Sequence, residues 1–508
     1  MTPTPASVSV ARVISRALPL SLLLASALLP ACRHAQRPEA RTVGSVASSL
    51  FATLEDEGAL ASAFVLDART GEPLYAHREH VRLLPASTMK VVSTASVLSA
   101  LGPDFRFQTH VTLEGTLTDG LYLGDLVVEP SGDPSLGSWR FPETALACEQ
   151  VADALQARGV QQWRGQVRVR GTDDVEAAFG PGWAWDDAAY AYSAAPTPFV
   201  FRENVVDLAL SRADGADCAL PPTVQLTPAF ATLSAIVRVD PNAERANLSC
   251  TRQRGAPGVR CVWRSPVNQC PRTAAVKLSV DEPQVLFSAC VEEALLKRGV
   301  PRLPATLEAP GPLRPPVPEP LVTLVSPPLS ELVKVTNKES LNLYAERLGL
   351  RFARERSGTE GYATLRTALA DELTRRGIPA RDLRPVDGSG LSRYNLATAR
   401  GLARVLFTSL REPYGAALVD SLPVAGLDGT LATRPVTPLT AGRIHAKTGT
   451  LSGQKCFVGV VDRPGDAEHP RVVFALMLGN MDESTALPAN EAFDRFAAAL
   501  VELPLRAP

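Results

Sequence analysis

The chain has 508 residues, 45% of them apolar, enough for a large core and more than one domain. Its 52 Lys and Arg against 53 Asp and Glu leave a net charge of −1, which argues against nucleic acid as a partner. At the N-terminus, Arg12 and Arg16 precede an apolar run from Ala17 to Leu29. That run is short for a membrane span and reads as the core of an export signal over residues 1–32. It ends in Leu29-Pro30-Ala31-Cys32, which resembles a lipoprotein cleavage box apart from Pro30. Two readings stay open: a lipid anchor at Cys32, or an ordinary secretory signal cleaved nearby. Both place the chain outside the cytoplasm, in the periplasm or cell envelope. No later stretch reaches the ~18 consecutive apolar residues of a spanning helix.

Ala63 to Leu66 and Leu74 to Ala76 flank Asp67-Ala68-Arg69-Thr70-Gly71-Glu72 and predict a hairpin. Pro85 leads into an apolar segment, Ser87 to Leu101, stopped by Gly102-Pro103, which predicts a buried helix. From Phe107 to about Val300 short β-like runs dominate, among them 109–113, 121–128 and 165–169, and predict a β-rich insertion. Ten prolines between Pro301 and Pro328 predict a stiff connector. Helical patterns return at 329–354 and 361–377, followed by a strand pair near 457–462 and 471–478 and a last helix over 490–500. The eight cysteines, at 32, 148, 218, 250, 261, 270, 290 and 456, form no Cys-x-x-Cys pair. An exported chain oxidises such thiols, and 250–290 is the expected disulfide region, with connectivity open.

The chemistry centres on Ser87-Thr88-Met89-Lys90. A serine hydroxyl needs a base to become a nucleophile, and residues i and i+3 share a helical face. Burial would lower the lysine toward a neutral amine, and the helix N-terminus favours developing negative charge. Alone, Ser-x-x-Lys is common. Ser340-Leu341-Asn342 and Lys447-Thr448-Gly449-Thr450 follow it in the order of the serine penicillin-recognising enzymes.

With these motifs the chain resembles the class C low-molecular-mass penicillin-binding proteins, the D-alanyl-D-alanine carboxypeptidase/endopeptidase family. Longer strings carry the same resemblance: 84–90, 326–331, 337–346, 387–393, 422–431 and, more loosely, 132–136 and 183–187. It runs from about residue 50 to the end and is weakest between about 210 and 300. Ser87 to Ser340 spans 253 residues and Ser340 to Lys447 spans 107, in keeping with that family's inserted domains. The resemblance implies an α/β (α+β) serine penicillin-recognising domain, β-lactamase/transpeptidase-like, built from 46–105 and 320–508. It also implies a β-rich inserted domain over 106–205 and 286–319 and a second over 206–285.

Roles follow by resemblance. Ser87 attacks the D-Ala–D-Ala carbonyl, Lys90 takes its proton, Ser340 relays a proton to the leaving group and Asn342 binds the substrate amide. Lys447 supplies positive charge, Thr448, Gly449 and Thr450 form the substrate-binding strand on which the threonines donate hydrogen bonds, and the amides of Ser87 and Thr450 form the oxyanion hole. Arg393, with Asp186 or Asp187, would suit the zwitterionic end of diaminopimelate, or would form a structural ion pair instead. The partners implied are peptidoglycan stem peptides and β-lactam antibiotics, with no metal or cofactor. Leu341 and the segment Gln454-Lys455-Cys456-Phe457 depart from the family pattern. His77-Arg78-Glu79-His80 lacks the zinc-peptidase order, and no Gly-x-Ser-x-Gly or phosphate-cradling loop occurs. The rivals are a β-lactamase or esterase on the same scaffold and a non-catalytic peptidoglycan-binding lipoprotein.

Overall fold

Strands from the two ends of the chain meet in one antiparallel sheet, in a computed structural model that describes residues 41–171, 179–231, 233–252, 258–304, 318–482 and 486–505. The expected export signal and Cys32 lie outside the described residues. The strand order is Ile444–Leu451, Gln454–Asp462, Arg471–Gly479, Leu60–Asp67, Pro73–His77. The last two form the expected hairpin, whose turn is held by Asp67 Oδ1 accepting the Arg69 and Thr70 amides at 2.7 Å each.

Leu60–Asp67 and Arg471–Gly479 are buried almost throughout, so both faces of the sheet must be covered. Strand alternation assigns the faces. Ala61, Ala63, Val65, Phe474 and Leu476 pack with Phe51, Phe493 and Phe496 of the helices Val43–Asp56 and Ala486–Glu502. Phe64, Leu66, Val473, Ala475 and Met477 pack against Met89–Leu101, Asn342–Ser357 and Ala399–Ser409. The first ten residues of Met89–Leu101 are all buried, as its apolar sequence requires. At roughly 1.5–3 kcal/mol for each fully buried aliphatic chain, Val91, Val92, Val97 and Leu98 anchor this helix firmly. Gly102, at φ 76°, caps it.

The expected helical stretch 329–354 is two helices, Leu329–Lys338 and Asn342–Ser357, and the break falls at Ser340, whose φ is 59°. The apolar periodicity runs through the break because both helices bury one face in the same core.

The segment between Leu101 and Leu329 builds its own sheets around a separate core. One has the order Glu319–Val325, Gln108–Thr118, Leu121–Glu129, Gln162–Arg164, with Val167–Val169 also pairing on Leu121–Glu129. Two three-stranded sheets follow, Thr273–Ser279 with Val205–Ser211 and Thr223–Thr227, and Asn247–Arg252 with Val259–Arg264 and Ala235–Asp240. The bridges are Cys148–Cys290, Cys218–Cys270 and Cys250–Cys261, so two reach outside the expected 250–290 region. Cys456 is a buried free thiol.

Candidate active site

Ser87 sits in a 3-10 turn, Ala86–Thr88, that feeds directly into Met89–Leu101. Thr88 Oγ1 donates to Pro85 O at 2.6 Å, closing the turn. Ala86 takes a left-handed φ of 47°, a conformation that costs a residue with a Cβ roughly 1–3 kcal/mol and clusters at functional sites. One helical turn on, the fully buried Lys90 places Nζ 2.9 Å from Ser87 Oγ, 2.5 Å from Asn342 Oδ1 and 3.0 Å from Ser389 O.

The donor inventory decides what this amine can do. Asn342 Nδ2 donates to Tyr192 O at 2.6 Å, so Oδ1 faces Lys90 as an acceptor, and Ser389 O can only accept. A neutral amine has two hydrogens and one lone pair. The two acceptors use the hydrogens, which leaves the lone pair for the Ser87 hydroxyl. Burial pushes Lys90 down to about 7, against the raising pull of Asp387 and Glu346. The neutral form is thus accessible near pH 7.

Those two carboxylates shape the loop that carries Ser389. Asp387 accepts from Gly390 N (2.8 Å), Ser392 N (2.6 Å), Asn395 Nδ2 (2.7 Å) and Trp183 Nε1 (3.0 Å). Glu346, four residues along the helix from Asn342, accepts from Ser389 N (2.7 Å) and Gly388 N (3.1 Å). Burial, with Asp387 beside it, raises the Glu346 pKa. Gly390 lies at φ 86°, and a Cβ there would meet Ala86 O at 1.8 Å, so only glycine lets this loop close on the nucleophile turn.

Strand Ile444–Leu451 supplies the opposite side. Gly449 rests against the nucleophile turn, and a Cβ there would lie 2.8 Å from Pro85 O and 3.1 Å from Ser87 N. Lys447 is fully buried, and its Nζ donates to Thr448 O at 2.8 Å. Burial, then the neighbouring Lys90, lowers its pKa well below the ordinary lysine value. Thr448 Oγ1 pairs with Thr430 Oγ1 at 2.9 Å, and Lys455 Nζ donates to Thr450 Oγ1 at 3.3 Å. Cys456 Sγ, 3.2 Å from Leu84 O, lies behind the turn, and burial pushes its thiol up to about 12. It is no nucleophile.

A cavity of about 380 Å³ opens here, its wall including Ser87, Ser340, Asn342, Thr450, Asp187 and Arg393. Ser87, Lys90, Ser340, Asn342, Lys447 and the 448–450 strand therefore converge on one place. Asp187 and Arg393 face the same cavity, while Asp186 is exposed and does not line it. Asp187 Oδ1 accepts from Tyr192 OH at 2.7 Å, and the Arg393 amide donates to Gly182 O at 3.0 Å. Sequence reasoning missed Glu346, Tyr192 and the role of Asp387. The available signal was an acid inside the apolar helical stretch 343–350.

Residues 46–500 match the D-Ala-D-Ala carboxypeptidase 3 (S13) family. The chain belongs to this family. It is 30% identical over 471 residues to a D-alanyl-D-alanine carboxypeptidase of Actinomadura sp. (strain R39), covering 88% of this chain and 83% of the relative. Its fold matches penicillin binding protein 4 (dacB) of Haemophilus influenzae with a TM-score of 0.72 at 22% identity, covering 89% and 98% of the two chains. The same Haemophilus protein complexed with a β-lactam matches at 0.69 and 21%, with the same coverage. The S13 chain described here is a serine peptidase with the serine penicillin-recognising fold.

Proposed function

We propose that this peptidase hydrolyses the D-Ala–D-Ala terminus, the D-Ala–diaminopimelate cross-link, or both, in peptidoglycan stem peptides, through an acyl-enzyme on Ser87. The observation that carries this reading is the 2.9 Å contact between Ser87 Oγ and the buried Lys90 Nζ. Ser87 Oγ attacks the carbonyl carbon of the penultimate D-Ala as its proton passes to Lys90 Nζ. The amides of Ser87 and Thr450 hold the oxyanion. Collapse breaks the C–N bond, and the leaving amine takes a proton relayed through Ser340. Water, deprotonated by Lys90, then hydrolyses the ester and frees Ser87. Asn342 orients the substrate amide, and Lys447 with Thr448 and Thr450 receives the terminal carboxylate. An arriving carboxylate favours the protonated form of Lys447, which the unliganded site disfavours.

Asp187 and Arg393 on the cavity wall give this site an acid and a base for the zwitterionic end of diaminopimelate. A β-lactam presents a strained amide and a carboxylate in similar array, and we propose that it acylates Ser87. The three bridges support export to an oxidising compartment, periplasm or cell envelope, with residues 1–32 as the export signal. A lipid anchor at Cys32 belongs to the same reading. The core of the inserted segment, distinct from the two cores on the faces of the peptidase sheet, supports a peptidase domain of 46–105 and 320–508 carrying an insertion. We propose that the insertion divides into domains over 106–205 with 286–319 and over 206–285, with a single core running through both.

Incubation with defined muropeptide monomers and cross-linked dimers, with products identified by mass, tests the activity. Loss of D-Ala from monomers or conversion of dimers to monomers is expected, and Ser87→Ala should abolish both. Intact peptides after prolonged incubation with the wild type would contradict the reading.

A further inference from the structure

We infer that Glu203 and Arg140, both on the inserted segment, are positioning residues that clamp the Ser340–Asn342 turn in its acylation-competent shape. This rests on the reading of Ser340 and Asn342 given above. The side chain of Glu203 is 8% exposed, and its Oε1 accepts from Ser138 Oγ (2.7 Å), Arg140 Nε (2.7 Å) and Tyr344 OH (3.3 Å). Arg140 turns its other face to Glu339, pairing through Nη1 with Oε2. Glu339 immediately precedes Ser340, and Tyr344 follows Asn342 by two residues. One buried carboxylate is thereby linked to the chain on both sides of the motif.

The backbone at both ends of the clamp supports a functional rather than a casual contact. Arg202, Glu203 and Asn204 all adopt left-handed φ, at 51°, 57° and 52°, and Ser340 does so at 59°. Residues with a Cβ disfavour this region, so such runs persist only where surrounding contacts hold them. Asn204 is fully buried and fixed by bonds to Ala195 O (2.9 Å) and the Phe201 amide (3.0 Å), which locks the Glu203 end. At the Ser340 end, Leu341 N donates to Thr336 O at 3.1 Å, and the Glu339 side chain is the grip offered to Arg140. Releasing that grip would let Ser340 relax toward ordinary helical φ, joining the helices Leu329–Lys338 and Asn342–Ser357 and drawing its hydroxyl out of the cavity.

The test is the acylation rate constant of the full-length protein with a fluorescent penicillin, separated from the binding constant and read beside the thermal midpoint. Arg140→Ala and Glu339→Gln should each slow acylation at least about tenfold with little change in binding, since small misplacements of reacting groups are costly. Arg140→Ala/Glu339→Gln should be no slower than Arg140→Ala alone, because that substitution already removes the link that Glu339→Gln weakens. Arg298→Ala breaks the Arg298–Asp153 pair elsewhere on the inserted segment and should leave acylation unchanged. Should Arg140→Ala fold poorly, Glu339→Gln alters a side chain that is 47% exposed and reads the same link. Acylation within twofold of wild type in Glu339→Gln, or losses that multiply in the double variant, would overturn the clamp. A normal rate in Ser340→Ala would instead refute the underlying role of the motif, and the clamp with it.

Discussion

At the residue scale the decisive group is Lys90. When the amine is neutral, the two fixed acceptors, Asn342 Oδ1 and Ser389 O, take its hydrogens and leave its lone pair for Ser87; when it is protonated, Nζ donates to Ser87 Oγ as well. Below about pH 7 the amine is protonated and cannot take the Ser87 proton, so acylation by penicillin should rise with pH through a midpoint near 7. A rate flat from about pH 5 to about pH 9 would contradict that assignment. The same group links to stability. Between about 7 and 10.5 the unfolded chain keeps the Lys90 proton that the folded chain has lost, so the fold gains stability from this group as pH rises. Chemical denaturation should therefore show the stability of wild type improving relative to Lys90→Met across that window. A difference independent of pH would mean that Lys90 stays protonated in the fold.

At the element scale the site depends on three close approaches: strand to turn, loop to turn, and inserted segment to loop. Gly449→Ala should separate the strand from the nucleophile turn, because the added Cβ meets backbone at 2.8 Å and 3.1 Å. Acylation should fall at least about tenfold while circular dichroism stays native, and an unchanged rate would show that the strand does not set the nucleophile. Trp183→Phe removes one of four donors to the buried Asp387. A loss of about 1–3 kcal/mol in unfolding free energy, with slower acylation, is expected from denaturant titration. The helix break at Ser340 belongs to this scale too. Periodicity favoured one continuous helix over 329–354, and the polar contacts that impose left-handed φ come from more than 130 residues away in sequence.

At the scale of the whole molecule, the peptidase sheet and its helices hold the motifs, while the inserted segment closes the site through Trp183, Asp187, Tyr192 and Arg140. Cys148–Cys290 ties helix Ala147–Ala157 to Pro283–Lys297 across 142 residues. Cys148→Ala/Cys290→Ala should lower stability by roughly 2–4 kcal/mol in a denaturant titration, and no change would mean that core packing alone fixes the pair. Much of this was legible in the sequence where the signal is local: the hairpin at Asp67, the buried helix after Ser87, the paired strands before the last helix, and the ordered motif residues that meet at the cavity. The cysteine partners, Tyr192 O on Asn342 and Glu346 beneath Ser389 were not legible, because each is set by packing between distant segments that leaves no periodic trace. Trp183 and Asp387 stood in recognisable strings, yet nothing in those strings says that they touch. Peptide mapping of the penicillin-treated protein by mass spectrometry tests the centre of the mechanism most directly. One covalent adduct on the peptide containing Ser87, absent from Ser87→Ala, is the expected result. An adduct on another residue, or none, would contradict it.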